Sequence, residues 1–178
     1  MVDDPIEEAR QRWLEQGWVD AAPGLAFAAA LARTQQIFVS KLELELRPLG
    51  LSLARFEVLM QLTFTREGAM ALSRLRDRLQ VAPGAVTNVI DRLESDGYVT
   101  RDTSPSDGRV TIATVTKSGR RLGMKAARLL NKRVYEALEI PAEQIEEAFE
   151  QLQAIRRSLG DIPAGNERAS LGLRQPDS

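Results

Sequence analysis

Cysteine and histidine are both absent from this 178-residue chain. Without cysteine there is no disulfide, no thiolate nucleophile and no cysteine-ligated zinc. Without histidine there is no imidazole base and no histidine-ligated metal. Aromatic residues make up only 5% of the chain. Long apolar runs are missing too: the most apolar window, Leu25 to Ala32, falls far short of the roughly 20 residues that span a bilayer. The start, Met1-Val2-Asp3-Asp4-Pro5, is acidic and lacks the apolar core of a secretory signal. These absences lead to the expectation of a soluble cytoplasmic protein with no membrane partner. A carboxylate-only metal site or a Ser-Lys site stays open on composition, but no spacing suggests either. No catalytic residue, metal ligand or cofactor is therefore expected, and the chain does not read as an enzyme.

A strong charge of one sign is also lacking: 24 Lys and Arg stand against 25 Asp and Glu, a net charge of −1. The whole molecule is not a basic nucleic-acid binder. The distribution says more than the sum. From Ala71 to Arg121 there are nine basic and six acidic side chains, a local +3 that leaves −4 for the remainder. A positive segment on an acidic scaffold fits a DNA-reading module. Ordinary scatter of surface charge is the alternative, and a difference this small does not decide by itself.

What is present is organised around the stretch from Ala69 to Arg121. Ser73 to Leu79 reads as a helix, with Leu72, Leu75 and Leu79 spaced for one buried face. Gln80-Val81-Ala82 is a turn, and Pro83 suits the first position of a second helix, where its missing N–H would be unbonded anyway. That helix runs to about Ser95, with Val86, Val89, Ile90 and Leu93 in one apolar stripe. Its other face carries Gly84, Ala85, Thr87, Asn88, Asp91 and Arg92. Asp96-Gly97 stops it, the glycine being free to turn left-handed. Tyr98 to Arg101 and Arg109 to Val115 have strand chemistry, and the turn formers of residues 102–108 join them. The spacing predicts a helix-turn-helix followed by a β-hairpin wing, an arrangement built to sit on duplex DNA.

Helices surround this unit. Pro5 and the following acids start a short one that reaches Gly17, and Trp13 and Trp18 look anchored, either against the body or a partner subunit or, on a sharper reading, in a ligand pocket. Pro23-Gly24 opens a long helix to about Arg47, with Phe27, Leu31, Phe38, Leu42 and Leu46 at helical spacing. Ser52 caps another to about Phe64, with Phe56, Leu59, Met60 and Leu62 inward. Ala69-Met70-Ala71 adds a third short strand. Thr116 caps a helix to about Glu139, and Pro141 starts a last one to Leu159. The long first helix and the last two carry broad apolar stripes with little else to cover them, which suggests a helical dimer interface.

These motifs resemble the MarR family of bacterial winged-helix regulators over roughly Leu25 to Leu159. The resemblance is carried by Leu72-Ser73-x-Leu75, Val86-Thr87-x-x-Ile90-Asp91-Arg92-Leu93-Glu94, Gly97-Tyr98-Val99-x-Arg101, Asp107-Gly108-Arg109 and Val115-Thr116-x-x-Gly119, in that order. It implies a mainly α fold with a small β-wing: a winged helix-turn-helix plus a helical dimerisation region. It further implies a homodimer on a near-palindromic operator in double-stranded DNA, most often a repressor, with a small effector, aromatic or anionic, bound between the dimer base and the winged lobe. The expected division is an N-terminal extension at 1–22, helices for dimerisation and the pocket at 23–64, the winged unit at 65–116, C-terminal dimerisation helices at 117–160 and a flexible tail at 161–178. Arg76 and Gln80 depart from the small residues the family often has there, as Ala85 and Asn88 depart from Ser/Thr and Arg. The half-site is therefore not to be inferred from relatives.

The candidate DNA-binding residues are Ser73, Arg74, Gly84, Ala85, Thr87, Asn88, Arg92, Arg101, Asp107, Gly108 and Arg109. Asn pairs bidentately with adenine and Arg with guanine. Gly84 and Ala85 leave the helix N-terminus open to a phosphate. Arg109 at the wing tip suits the narrow minor groove. Asp107 is expected to hold the loop and aim Arg109, and Gly108 to permit the turn. Asp91 reads better as a structural brace than as a base contact, Arg92 equally well as either, and Ser73 equally well as an N-cap. For the effector pocket, Phe38, Arg55 and Phe56 lie on the bordering helices. A protein-interaction module that uses a winged helix without touching DNA is the competing reading, supported by the acidic net charge.

Overall fold

The computed structural model describes residues 4–79 and 83–161, with the backbone alone at 83–85. The Gln80-Val81-Ala82 turn and the tail expected beyond Asp161 lie outside the described residues. Asp4 caps α1 (Pro5–Glu15), its carboxylate accepting from the Ile6 N–H at 3.0 Å. Trp13 and Trp18 meet edge to face across the turn after α1, with ring centroids 5.2 Å apart. The extension packs on α2 (Ala22–Leu46), which is the anchoring expected of the two tryptophans, although Trp18 stays 52% exposed.

The apolar stripe expected along α2 divides. Leu42 and Leu46 are buried in the core, with Phe38 at its edge, whereas Phe27 and Leu31 are 43% and 41% exposed. A 3₁₀ turn (Arg47–Leu49) ends at Gly50, whose φ of 67° is left-handed. Ser52 then caps α3 (Leu53–Thr63) through the Arg55 N–H at 3.3 Å. Phe56, Leu59, Met60 and Leu62 are buried as expected.

β1 (Ala69–Ala71) runs straight into α4 (Leu72–Leu79). The helix begins one residue earlier than the sequence suggests, so Ser73 lies inside its first turn and is not its N-cap. In α5 (Pro83–Ser95), Val86, Ile90 and Leu93 are at most 1% exposed. Gly97 turns at φ 71° into β2 (Val99–Thr103), which pairs with β3 (Thr111–Val115). The last pair of the ladder is Thr103 with Thr111. Arg109 and Val110 therefore belong to the loop, not to the strand in which the sequence pattern put them, and Asp102 and Thr103 to the strand. The three strands are antiparallel in the order β1-β3-β2.

Thr116 caps α6 (Lys117–Leu130), which continues as one π-helical turn (Asn131–Tyr135) and stops there, short of the expected Glu139. α7 (Ala142–Ser158) follows Pro141 in a second unit that starts at Leu138, and none of its residues is buried. The core of the first unit is built from the end of α2, α3, α4, α5, the sheet and α6. Leu59, Leu62, Leu75, Ile90, Leu93 and Leu130 are all fully buried, each contributing about 1.5–3 kcal/mol of apolar transfer. No helix among the described residues is long and apolar enough to cross a membrane.

One backbone approach sets where α6 begins. The Tyr98 carbonyl accepts the Thr116 N–H at 3.0 Å, and a Cβ on Gly119 would stand 2.1 Å from the same oxygen. Only glycine fits. A Gly119→Ala variant gains helix propensity but must push α6 off the backbone, and should lose roughly 1–3 kcal/mol of stability, the usual scale of overpacking. Urea titration followed by circular dichroism measures it.

Glu57 sits half-buried on α3, and burial pushes its carboxyl above the ordinary value of 4.5. Tyr135 is pushed up as well, first by burial and then by the Glu57 charge. The native state thus holds the Glu57 proton more tightly than the unfolded chain does, so stability falls as pH rises from 4.5 through the raised value. A Glu57→Gln variant should melt at a higher temperature than the parent at pH 7, with the gain fading as pH approaches 4.5. Melting curves across that range test the sign.

Candidate nucleic-acid interface

The outward face of α5 is prepared by its neighbours. Val86, Ile90 and Leu93 anchor one side of the helix in the core, which turns Thr87, Asn88, Asp91 and Arg92 to the surface. Asp91 does not stand alone there. Arg101, on β2, forms ion pairs with both Asp91 and Glu94. Its Nε donates to Glu94 at 2.8 Å and its backbone N–H to the same carboxylate at 3.2 Å. The Glu94 hydrogen bonds above all hold the Arg101 guanidinium above its ordinary range; burial opposes them, and the Asp91 hydrogen bond and both carboxylate charges add to the rise. Arg101, a candidate DNA contact in the sequence, thus braces α5 against the wing strand. Asp91 is the brace residue expected. Arg92, by contrast, is exposed and makes no ion pair among the described residues.

The far end of α5 is tied down as well. Arg55 pairs with Asp96 and donates to the Gly50 carbonyl at 2.8 Å. The hydroxyls of Thr116 and Ser118 donate to the Gly97 carbonyl at 2.9 and 3.0 Å. Helix and wing strand are thereby fixed to the body at several points around one turn.

The wing loop is ordered by its own groups. Asp107 Oδ1 accepts the Arg109 N–H at 3.0 Å, the Asp107 carbonyl accepts from Val110 at 3.0 Å, and the Val110 carbonyl accepts from Ser104 at 2.8 Å. Asp107 therefore holds the loop as expected. Gly108 does not carry the turn in the way expected: its φ is not left-handed, and a Cβ there would meet nothing within 4 Å. Arg109 is exposed, with its guanidinium in no ion pair among the described residues. Ser73 and Arg74 are exposed in the first turn of α4. The side chains of Gly84 and Ala85 lie outside the described residues. Arg76 is only partly exposed, while Leu75 beside it is fully buried.

The three effector-pocket candidates are engaged in packing and in a tie between elements. Phe56 is a core residue, Phe38 packs at the core edge, and Arg55 is engaged with Asp96 and Gly50. Of two surface clefts, one of about 600 Å³ lies along α2, lined by Arg33, Gln36, Ile37, Ser40, Lys41 and Leu44. The other, of about 420 Å³, lies at the base of the wing. None of Phe38, Arg55 and Phe56 lines either, because their side chains are used for packing and for the tie between α3 and the end of α5. Neither tryptophan lines them.

A helix-turn-helix whose second helix shows a polar face, with a β-hairpin beside it that exposes Arg109, defines a winged-helix DNA-binding protein. A model of the MarR family matches residues 51–111. The chain is 31% identical over 131 residues to the HTH-type transcriptional repressor Rv2887 of Mycobacterium tuberculosis, covering 72% of this chain and 91% of that protein. It is similar to the crystal structure of Sco5413, a MarR family transcriptional regulator from Streptomyces coelicolor, with 35% identity, a TM-score of 0.72 and coverage of 79% of this chain and 97% of that one. The fold is also that of a mutant MarR from E. coli complexed with operator DNA, at 23% identity, a TM-score of 0.69 and coverage of 76% and 96%. The chain belongs to the MarR family and is a DNA-binding transcription regulator.

The Arg101 brace was not legible as such, although Asp91 and Glu94 at i, i+3 beside a basic strand residue are its trace in the sequence. Replacing Arg101 with Gln leaves two uncompensated carboxylates beside the recognition face. Duplex affinity should fall roughly tenfold, about 1.4 kcal/mol, and Asp91→Asn in the same background should recover part of it. Fluorescence anisotropy of the single and double variants measures both steps.

Proposed function

We propose that this chain acts in the cytoplasm as a homodimeric repressor that binds a near-palindromic operator and is released by a small aromatic or anionic effector. The observation that carries the DNA part is the outward face of α5, with Thr87, Asn88 and Arg92 exposed, Asp91 neutralised by Arg101 and Arg109 exposed at the wing tip. In this reading Asn88 and Arg92 contact base edges, each good bidentate pair being worth about 1–3 kcal/mol of discrimination. Thr87 supports them, Gly84 and Ala85 let the helix start approach the groove, and Ser73 and Arg74 meet the backbone. Arg109 enters the minor groove, with Asp107 holding the loop that carries it and Gly108 leaving the tip without bulk.

Two surfaces support the dimer. α2 exposes Phe27, Leu31, Ile37 and Leu44 while Leu42 and Leu46 face the core, and a helix apolar on several sides is one that something else covers. α7 has no buried residue and exposes Phe149, with Leu159 exposed at its C-cap. A two-fold dimer would place its reading helices about one helical turn of DNA apart, roughly 34–36 Å. The effector rests on the family resemblance, and a thermal-shift screen with small aromatic acids addresses it.

The net charge of −1 favours a second reading, a winged-helix interaction module that does not touch DNA. Salt titration of binding to random duplex separates the two, since phosphate neutralisation makes affinity fall with salt. Under the first reading an Arg109→Ala variant should lose roughly tenfold in affinity for DNA from its own upstream region, while light scattering still finds a dimer. Unchanged affinity would remove the wing from the interface, and a protein with no salt-dependent affinity belongs to the second reading.

A further inference from the structure

The cleft at the base of the wing has no role in the assignments above. It lies between the turn at 65–67, the junction of β1 and α4, and the roots of the wing loop at Ser104 and Val110. Its volume, about 420 Å³, is far more than one water requires. Two cations line it, Arg66 from the turn and Arg74 from the first turn of α4, against one carboxylate, Glu67. Arg66 and Arg74 are exposed and make no ion pair among the described residues. The floor is firm: Met70 is 5% and Ser104 9% exposed, and the Ser104 N–H is held by the Val110 carbonyl at 2.8 Å. The cleft is also continuous with the wing, since Val110, which lines it, directly follows Arg109.

We propose that this cleft seats one backbone phosphate of the duplex, held jointly by Arg66 and Arg74, on the strand beside the groove that the wing tip enters. The proposal rests on the DNA-binding reading given above and adds Arg66 to it. A phosphate is favoured over a larger anion by position: the cations flank the root of a DNA-reading loop, and one of them belongs to the first helix of the helix-turn-helix, which crosses the backbone in this class of motif. Such a contact fixes register and carries no base preference. Glu67 opposes it, which keeps the seat from binding free anions tightly.

The test is the salt dependence of duplex binding by the full chain, measured for the parent, Arg66→Ala, Arg74→Ala and the double variant. Each phosphate neutralised contributes roughly 0.9 to the slope of log affinity against log salt. If both arginines hold one phosphate, the double variant should lose about one such unit, hardly more than either single variant, and equally on operator and random DNA. Glu67→Gln should bind a few-fold more tightly. A double variant with the parental slope, or one that loses about two units, overturns the shared seat. So does a thermal shift by millimolar inorganic phosphate that needs both arginines while the duplex slope stays unchanged, because the cleft would then be a small-anion site. If the parent has no salt-dependent affinity, the DNA-binding reading itself fails. If the parent binds and Arg109→Ala weakens it while the double variant matches the parent, only the phosphate seat is lost. All these side chains are exposed, and equal melting temperatures will show that the variants are folded.

Discussion

The structure depends on how closely the start of α6 lies against the backbone that follows the recognition helix. At that point the carbonyls of Gly97 and Tyr98 accept from Thr116 and Ser118, and the missing side chain of Gly119 makes the approach sterically allowed. Three elements meet there: the end of α5, the first residue of the wing strand and the cap of α6. Because both carbonyls are hydrogen-bonded to the start of α6, the strand leaves the helix in one direction. The direction of the strand in turn places Arg101 against Asp91 and Glu94. Backbone packing at a glycine thus decides the geometry of charges several residues away.

Those charges resolve an apparent conflict. A protein with a net charge of −1 is a poor electrostatic partner for DNA. Here the acids nearest the reading face are each matched to an arginine: Asp91 and Glu94 to Arg101, and Asp96 to Arg55. The exposed cations Arg92 and Arg109 are left to act outward. Pairing of this kind adds little to stability at an exposed site, but it removes repulsion where an anionic partner would come nearest. It also stiffens the joint between helix and wing, so that the two present one surface.

The two long apolar helices tell a different story from the core. α3 and α6 satisfy their apolar residues within the first unit, and Gly123 lets them approach, with Leu59 and Met60 only 3.3 Å from where its Cβ would be. α2 does so along part of its length, and α7, in the second unit, has no buried residue. Exposed large side chains at helical spacing over several turns of α2 are the observation on which the proposed dimer rests.

Much of this was written in the order of residues. Pro83 and Gly97 bracket the recognition helix, Ser52 and Thr116 cap the helices they precede, and the stripe of Val86, Ile90 and Leu93 reaches the core it implies. Caps, turns and periodicity act over three or four residues, and so local sequence determines them. Tertiary structure alone decided the rest. Arg101 braces α5 because its partners come from a neighbouring element, Arg55 ties α3 to the residue after α5, Phe56 packs in the core, and Gly119 proved indispensable because of a carbonyl 21 positions earlier. Arg66 and Arg74 line one cleft because a strand and a turn fold back beside the wing. Such relations depend on distances across the folded chain, and no spacing in a linear sequence encodes them.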